Sequence, residues 1–330
     1  MSTDVQTRPV SGPDIAVSEH MVPSGDPDIL LYLRNKRRAD AGPARPDRTL
    51  LFVHGASYPS HTSFDLALDG RSWMDVMAAR GFDVWCLDIR GYGRSTRPAQ
   101  MDRPAEEGAP IAPGEVALRD VAAAMGFIRA ARGVERVVAM GWSWGTALMA
   151  RFAAENPERV EKLVLYAPLW IRETPSLVQA GPGPLGAYRT ITRESARERW
   201  LSGIPEERRA DQVPAAWLQA WADATWGTDA VGAAQDPPVL RAPNGSVQDG
   251  QEYWSARRPF YDPAAIRAPT LLVLGEWDRD TPPYMAQTLF PLLTAAPRKR
   301  LAILGEGTHS MMMERTRDEL HRVVQDFLET

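Results

Sequence analysis

Residues 137–154 decide the fold: they read Val-Val-Ala-Met-Gly-Trp-Ser-Trp-Gly-Thr-Ala-Leu-Met-Ala-Arg-Phe-Ala-Ala. The apolar run at 137–140 predicts a short buried strand, and the alanine-rich run at 146–154 predicts a helix. Between them, glycines flank the tripeptide centred on Ser143 and allow the backbone to turn sharply from strand to helix. A serine on such a turn projects from the sheet edge, beside the free N–H groups of the helix N-terminus. Ser143 is therefore the predicted nucleophile.

The alternation of strand and helix continues on both sides of this stretch. Apolar runs predict extended segments or strands at residues 15–22, 29–33, 49–53, 82–87, 137–140, 163–166, 270–274 and 301–304. Continuous apolar runs suit strands that are covered on both faces, as in a parallel sheet. Helical spacing predicts a helix that stops near Gly133 and a terminal helix containing Leu320 and Phe327. The predicted fold class is α/β, with a mostly parallel central sheet flanked by helices.

The alternation breaks at residues 171–266. This segment is rich in proline, predicts two helices near 194–202 and 214–226, and contains no convincing strand. We interpret it as a helical cap inserted between two late strands. Residues 13–170 and 267–330 then form the core, and residues 1–12 form a flexible tail.

Composition and charge narrow the classes of function. The 330 residues carry a formal net charge of -4, so the chain lacks the basic surface of a nucleic-acid-binding protein. No long apolar run predicts a membrane span, and the polar residues 1–20 are unlike a signal peptide. The one cysteine, Cys86, lies in an apolar run and predicts a buried thiol rather than a nucleophile. We expect a cytoplasmic protein that acts on a small molecule and binds neither nucleic acid nor membrane.

A serine nucleophile needs a base, and the chain has five histidines. His20 lies in an early extended stretch, and His321 lies inside the terminal helix. His54 and His61 flank the loop after the first central strand, where His54 is expected to brace the loop. His309 follows the last strand in the loop Gly-Glu-Gly-Thr-His and is the predicted base.

The base in turn needs a carboxylate that holds its tautomer and stabilises the imidazolium. The sequence Gly-Glu-Trp-Asp follows the strand at 270–274 and ends at Asp278, the predicted acid. Glu276 and Asp280 are its neighbouring rivals. The strand at 163–166 is followed by Ala-Pro-Leu-Trp, so no acid is available there.

The remaining requirement is a pair of donors for a developing oxyanion. The backbone N–H groups of Ala56, after the first central strand, and of Trp144, after the nucleophile, are the predicted donors. No Gly-x-Gly-x-x-Gly run follows a predicted strand, and the sequence has no clustered His or Cys ligand set, so we expect neither an organic cofactor nor a metal.

Together these motifs resemble the lidded serine hydrolases of the α/β-hydrolase superfamily, over residues 25–330. The resemblance rests on the His-Gly pair at 54–55, on Asp-Ile-Arg-Gly-Tyr-Gly-Arg-Ser at 88–95, and on the serine turn, Asp278 and His309. It implies the chain order Ser, Asp, His and a loop that brings His309 over Ser143. Epoxide hydrolases and haloalkane dehalogenases share the layout but carry Asp at the nucleophile, so Ser143 excludes their chemistry.

The resemblance implies hydrolysis of a carboxylic ester, lactone or amide through an acyl-enzyme. Prolyl aminopeptidases look similar at Ser-Trp-Gly (143–145), but they have a glycine-rich run where this chain has Gly-Ala-Ser-Tyr-Pro (55–59). Cap carboxylates that could bind an amine are Glu206, Glu207 and Asp211. Carbon–carbon bond hydrolysis by the same triad and a non-catalytic ligand receptor are the alternatives.

Aromatic residues predict the character of the substrate. The chain has 11 tryptophans, several of them beside the nucleophile, beside the acid or inside the cap. Since ligand sites are mostly apolar, we expect an apolar substrate with an aromatic or alicyclic group. The residues predicted to contact it are Tyr58, Trp142, Trp170, Trp217, Trp221 and Met311.

Overall fold

The computed structural model describes residues 14–179 and 183–330, so the tail predicted at 1–12 lies outside the described residues. Within them, the strands are β1 Ile15–Pro23, β2 Leu30–Arg38, β3 Thr49–Val53, β4 Asp83–Asp88, β5 Val137–Trp142, β6 Val160–Tyr166, β7 Tyr188–Thr192, β8 Val239–Pro243, β9 Thr270–Gly275 and β10 Lys299–Leu304. The helices are α1 Trp73–Ala79, α2 Gly114–Arg132, α3 Trp144–Glu155, α4 Arg193–Leu201, α5 Arg209–Gln212, α6 Ala215–Trp226, α7 Ala230–Ala233, α8 Gly245–Asp249, α9 Pro283–Leu289 and α10 Arg317–Glu329.

In the described part of the chain, eight strands form one sheet in the order β1-β2-β4-β3-β5-β6-β9-β10. β2 pairs antiparallel with both β1 and β4, and all the remaining pairs are parallel. The central strands are fully buried because helices cover both faces. The predicted α/β class and mostly parallel sheet are confirmed.

Alternate residues of the central strands belong to two separate hydrophobic cores. In β3, Leu51 and Val53 pack with residues of α2, α3 and α9, whereas Leu50 and Phe52 pack with residues of α1 and α10. α2 ends where the sequence predicts, at Gly133, which adopts the left-handed conformation (φ 63°) that glycine tolerates.

Residues 171–266, the inserted segment, lie between β6 and β9 and contain α4 to α8. The two predicted helices are present as α4 and α6. The expectation of no strand was wrong, because β7 and β8 form an antiparallel pair within this segment. Buried Arg189 and Arg241 interrupt the apolar pattern of these five-residue strands, so their sequences do not alternate clearly.

The inserted segment contacts the sheet edge where the parallel strands end. Arg189 of β7 donates to Ala56 O in the loop after β3 (2.6 Å), and Arg199 of α4 pairs with Asp280 in the loop after β9 (2.8 Å). None of the described helices has the length and hydrophobicity needed to span a bilayer.

Candidate active site

Ser143 lies at the junction of β5 and α3 in a strained backbone conformation. Its φ of 57° and ψ of -121° are rare for a residue with a side chain, and such strain is typical of functional positions. Ser143 N donates to Tyr166 O of β6 (3.0 Å), and Thr146 N donates to Ser143 O (2.8 Å). The turn is thus held from both sides.

The two glycines of the turn are required by close backbone contacts. A Cβ on Gly141 would lie 2.2 Å from Gly145 O, and a Cβ on Gly145 would lie 2.5 Å from Val53 O. Only glycine lets α3 begin this close to β3 and β5. The spacing of Gly141 and Gly145 around Ser143 is therefore a packing requirement of this turn.

The structure brings together Asp278 and His309, which are 31 residues apart. The imidazole Nδ1 lies 2.9 Å from Asp278 Oδ2. Three more donors fix this carboxylate: Asp280 N (2.9 Å) and Thr281 N (2.8 Å) on Oδ1, and Thr281 Oγ1 (2.8 Å) on Oδ2. A carboxylate held by this many donors orients the imidazole ring.

The second ring nitrogen of His309 is free for chemistry. Nε2 is buried and makes no hydrogen bond to any described residue. Since Nδ1 faces the carboxylate, it carries a proton, and Nε2 of the neutral ring is then an acceptor. Ser143 Oγ does not hydrogen-bond to Nε2 in this conformation. Such catalytic hydrogen bonds commonly tighten only when substrate is bound.

The loop after β3 lies directly against Ser143. A Cβ on Gly55 would be 3.5 Å from Ser143 Oγ, so the loop backbone passes within contact distance of the hydroxyl. Trp144 N is at the first position of α3 and has no intrahelical acceptor. Ala56 N donates to no other described residue. The two predicted oxyanion donors thus both lie next to Ser143.

His54 braces this loop, as expected from the sequence. Its Nδ1 lies 2.7 Å from Gly55 O, and its Nε2 lies 3.1 Å from the N–H of Ile89. Nε2 accepts and Nδ1 donates, so the ring is neutral, and burial lowers the pKa of His54 to about 4. Tyr92 Oη and Arg189 both donate to Ala56 O, which fixes the next peptide.

A cavity of about 520 Å³ opens beside Ser143. Its walls come from the loops after β3, β6 and β9 and from the inserted segment. They combine apolar and polar side chains, among them Leu169, Val178, Val247, Trp254, Arg172, Gln179, Ser246, Asp280 and Thr281. Aromatic residues supply only part of this lining, so the site is more polar than the tryptophan count suggested.

The residues predicted to contact substrate are dispersed. Tyr58, Trp142 and Trp221 surround a crevice of about 10 Å³ against His309, and the Trp142 indole donates to His309 O (2.9 Å). Trp170 packs against Tyr261 and lines neither space.

Trp217 and Met311 also lie away from both spaces. Trp217 donates to Asp69 Oδ1 (3.0 Å) and lies under the guanidinium of Arg317. Met311 is fully buried against Gly307 behind the His309 loop. The structure thus gives Trp217 and Met311 packing contacts in place of the predicted cavity contact.

The other carboxylates considered from the sequence have separate positions. Asp280, a rival of Asp278, pairs with Arg199 and makes no hydrogen bond to the ring of His309. Glu276 accepts from Glu306 N (3.3 Å). Glu206, Glu207 and Asp211 are exposed and absent from the cavity wall, so they do not form an amine-binding site there. No described group of three His, Cys, Asp or Glu residues is arranged to hold a metal ion.

Two buried carboxylates near the site were not anticipated. Asp249 of α8 accepts from Trp144 Nε1 (2.7 Å) and from Gly114 N (2.9 Å). Glu314 accepts from Thr308 N (3.1 Å), Thr308 Oγ1, Gln212 Nε2 (3.1 Å) and Trp200 Nε1 (3.0 Å). Both join the inserted segment to segments that flank Ser143 or His309. Their partners are far away in sequence, so no local pattern could have revealed them.

Comparisons with known proteins agree with this architecture. The family model described as alpha/beta hydrolase fold matches residues 48–316. A proline iminopeptidase from Neisseria meningitidis serogroup B is 25% identical over 267 residues, which are 75% of this chain and 80% of that protein.

Solved structures share the fold at low sequence identity. A 2-hydroxy-6-oxo-6-phenylhexa-2,4-dienoate hydrolase from a Rhodococcus strain has a TM-score of 0.64 at 16% identity, covering 96% of this chain and 100% of its own. A bacterial membrane phospholipase A has a TM-score of 0.62 at 21% identity, covering 96% and 86%.

Proposed function

Since the chain belongs to the alpha/beta hydrolase fold family, we propose that it is a serine hydrolase that cleaves a carboxylic ester, lactone or amide bond of a small substrate. The observation that carries the proposal is the strained Ser143 at the cavity wall, with His309, which is paired to Asp278 (2.9 Å), lining a crevice that shares Asp280 with this cavity. The inserted segment would act as the cap over this site.

In the proposed reaction, His309 Nε2 takes the proton of Ser143 Oγ as the oxygen attacks the substrate carbonyl carbon. The carbonyl oxygen becomes negative and accepts from the N–H groups of Ala56 and Trp144. The imidazolium, stabilised by Asp278, then gives its proton to the leaving oxygen or nitrogen, and the C–O or C–N bond breaks. This leaves an acyl group on Ser143.

Water completes the cycle. His309 Nε2 takes a proton from a water molecule, and the hydroxide attacks the acyl carbonyl. The proton returns to Ser143 Oγ, and a carboxylic acid leaves. The steps use only side chains and backbone groups of this chain, together with water.

The test is a panel of small esters, lactones and amides with Ser143→Ala. We expect turnover on at least one panel member and a loss of about a thousandfold or more in the variant, because the members of a triad act as a unit. Ser202→Ala, at the end of α4, is the matched control and should keep full activity. A fluorophosphonate should label the wild type at Ser143.

Retention of a tenth of the rate in Ser143→Ala, or label on another residue, would contradict the assignment. An absence of both turnover and label would favour the receptor alternative. Carbon–carbon cleavage of a dienoate, with no ester turnover, would favour the alternative of a carbon–carbon bond hydrolase.

A further inference from the structure

Three arginines lie around the loops after β3 and β9, and one of them, Arg172, lines the cavity. Arg199 donates to Ser57 Oγ (3.0 Å) and pairs with Asp280. Arg189 donates to the same Ser57 Oγ (3.1 Å) and to Ala56 O. Arg172 donates to Asp280 O (2.6 Å) and to Pro175 O (3.3 Å). The three guanidinium groups thus surround the loop that follows β3 and the loop that carries Asp278.

These three arginines have fewer carboxylate partners than positive charges. Among the described residues, only Arg199 has a carboxylate within 4 Å, that of Asp280. Asp278 is the other nearby carboxylate, and it is already occupied by Thr281 and His309. Arg172 and Arg189 therefore have no carboxylate partner among the described residues. A buried charge of this kind is costly unless a partner neutralises it.

Arg172 is the arginine of this group that lines the main cavity. It is half-buried, and burial is the main cause that lowers its pKa from the ordinary arginine value. Its described acceptors are backbone carbonyls, which carry no net charge. Ser246 lines the same cavity, and its hydroxyl is buried with no hydrogen-bond partner among the described residues.

We propose that the substrate carries a carboxylate, separate from the bond that is cleaved, and that this carboxylate binds Arg172 inside the cavity. The inference rests on the proposed serine hydrolase function and adds the substrate class to it. A guanidinium matches a carboxylate by charge and by its fork of donors, and Ser246 offers a further donor on the same wall. Asp280 does not serve as the anionic partner of Arg172, because its carboxylate is already paired with Arg199.

The experiment compares two matched pairs of esters. In the first pair, mono-4-nitrophenyl suberate carries a carboxylate on the acyl side, and 4-nitrophenyl octanoate is its neutral partner. In the second pair, 4-carboxyphenyl butyrate carries a carboxylate on the leaving group, and 4-carbamoylphenyl butyrate is its neutral partner. The readout is the ratio of kcat/KM for the acid over the neutral partner. We expect this ratio to exceed one for at least one pair.

Arg172→Gln should lower that ratio by about ten- to a hundredfold, the size of a lost hydrogen bond to a charged group. Arg172→Lys keeps the positive charge but loses the paired N–H donors of the guanidinium, so it should retain part of the preference for the charged ester. Arg197→Gln is the matched control: Arg197 is a half-exposed arginine of α4 that lies outside the cavity, and the ratio should not change. Titration calorimetry with suberate should show the same order of affinities.

The outcomes separate the two proposals. If the esters are hydrolysed and Ser143→Ala stops this, but Arg172→Gln leaves both ratios within twofold, the carboxylate site is wrong and the hydrolase stands. If no ester is hydrolysed, the hydrolase proposal fails for esters. The suberate titration alone then decides the site, and equal affinity in wild type and Arg172→Gln overturns it. If Arg172→Gln does not fold, Arg172→Lys replaces it in both measurements.

Discussion

The indole of Trp144 donates to the carboxylate of Asp249 at 2.7 Å, which links the residue after Ser143 to the inserted segment. The other oxygen of Asp249 accepts from Gly114 N at the start of α2. The side chain is buried, and no described cation lies within 4 Å of it. Burial is the main cause that raises the pKa of Asp249 to about 7. The inserted segment and the core therefore share a carboxylate that titrates near neutral pH.

Asp249 should make stability fall as the pH rises. Its folded-state pKa lies above the unfolded value of about 3.9, so its stabilising contribution is complete below pH 3.9 and is lost as the pH rises through 7. Between pH 6 and pH 8 the loss should be about 1 kcal/mol in the free energy of unfolding. Asp249→Asn should lack this part of the pH dependence. Urea denaturation of both proteins at the two pH values measures the difference, and parallel pH curves would contradict it.

Asp278 and Asp280 provide a matched pair for testing the acid. Asp278→Asn places an amide where His309 Nδ1 and three other donors need an acceptor, so we expect kcat to fall about a thousandfold or more. Asp280→Asn breaks the pair with Arg199 and should lower stability by about 3 kcal/mol, with a much smaller loss of kcat per folded molecule. Steady-state kinetics with a melting curve for each variant tests both expectations. A larger kcat loss in Asp280→Asn would reverse the assignment.

The sequence predicts the sheet and the turn at Ser143 well because both depend on local signals. Each central strand is a short apolar run, and the two glycines of the turn are required by contacts with β3 and within the turn itself. The loops that carry Asp278 and His309 follow adjacent parallel strands, β9 and β10. Adjacent parallel strands end at the same edge of a sheet. The order of the strands therefore places Asp278 close to His309, and no sequence motif that links the two residues is required.

The lining of the cavity could not be predicted in the same way. Trp217 and Trp221 are four residues apart on α6, which suggested a shared face, but one helical turn is enough to place Trp217 against Asp69 and Trp221 beside the crevice at His309. The position of α6 on the core is set by long-range contacts. Arg172 lies in the loop that follows β6, so the sheet-edge rule could have identified it, but its two carbonyl acceptors depend on the folded loops.

Glu314 should be essential for holding the His309 loop to the inserted segment. Four donors from Thr308, Gln212 and Trp200 converge on its carboxylate. In Glu314→Ala the Thr308 and Trp200 donors would lose this acceptor, whereas Gln212 Nε2 keeps Glu306 O and Thr316 Oγ1. We expect a loss of about 3 kcal/mol or more in the free energy of unfolding, because each buried donor left unpaired costs about 1–3 kcal/mol. Glu319→Ala, on the exposed face of α10, is the control and should change stability by less than about 0.5 kcal/mol. Equal denaturation midpoints for the two variants would contradict this role.

His321 should make the protein sensitive to acid. Its ring stacks on Trp73 (centroids 4.6 Å apart), and neither ring nitrogen has a hydrogen-bond partner among the described residues. Burial, aided by Arg317 and Arg71, lowers the pKa of His321 to about 3. Because the folded pKa lies below the unfolded value of about 6.5, the contribution to stability is present above pH 6.5 and is lost as the pH falls toward 3.

His321→Phe should therefore resist acid better than the wild type. The ring keeps its stacking partner and loses two unpaired polar atoms, so the variant should be at least as stable at pH 7.5. Between pH 7.5 and pH 5 it should lose about 2 kcal/mol less than the wild type in the free energy of unfolding. His54 and the carboxylates titrate equally in both proteins, so their contributions cancel in the difference. Arg322→Leu, on the solvent face of α10, should follow the wild-type curve, and a His321→Phe curve parallel to it would show that His321 is not the acid-sensitive group.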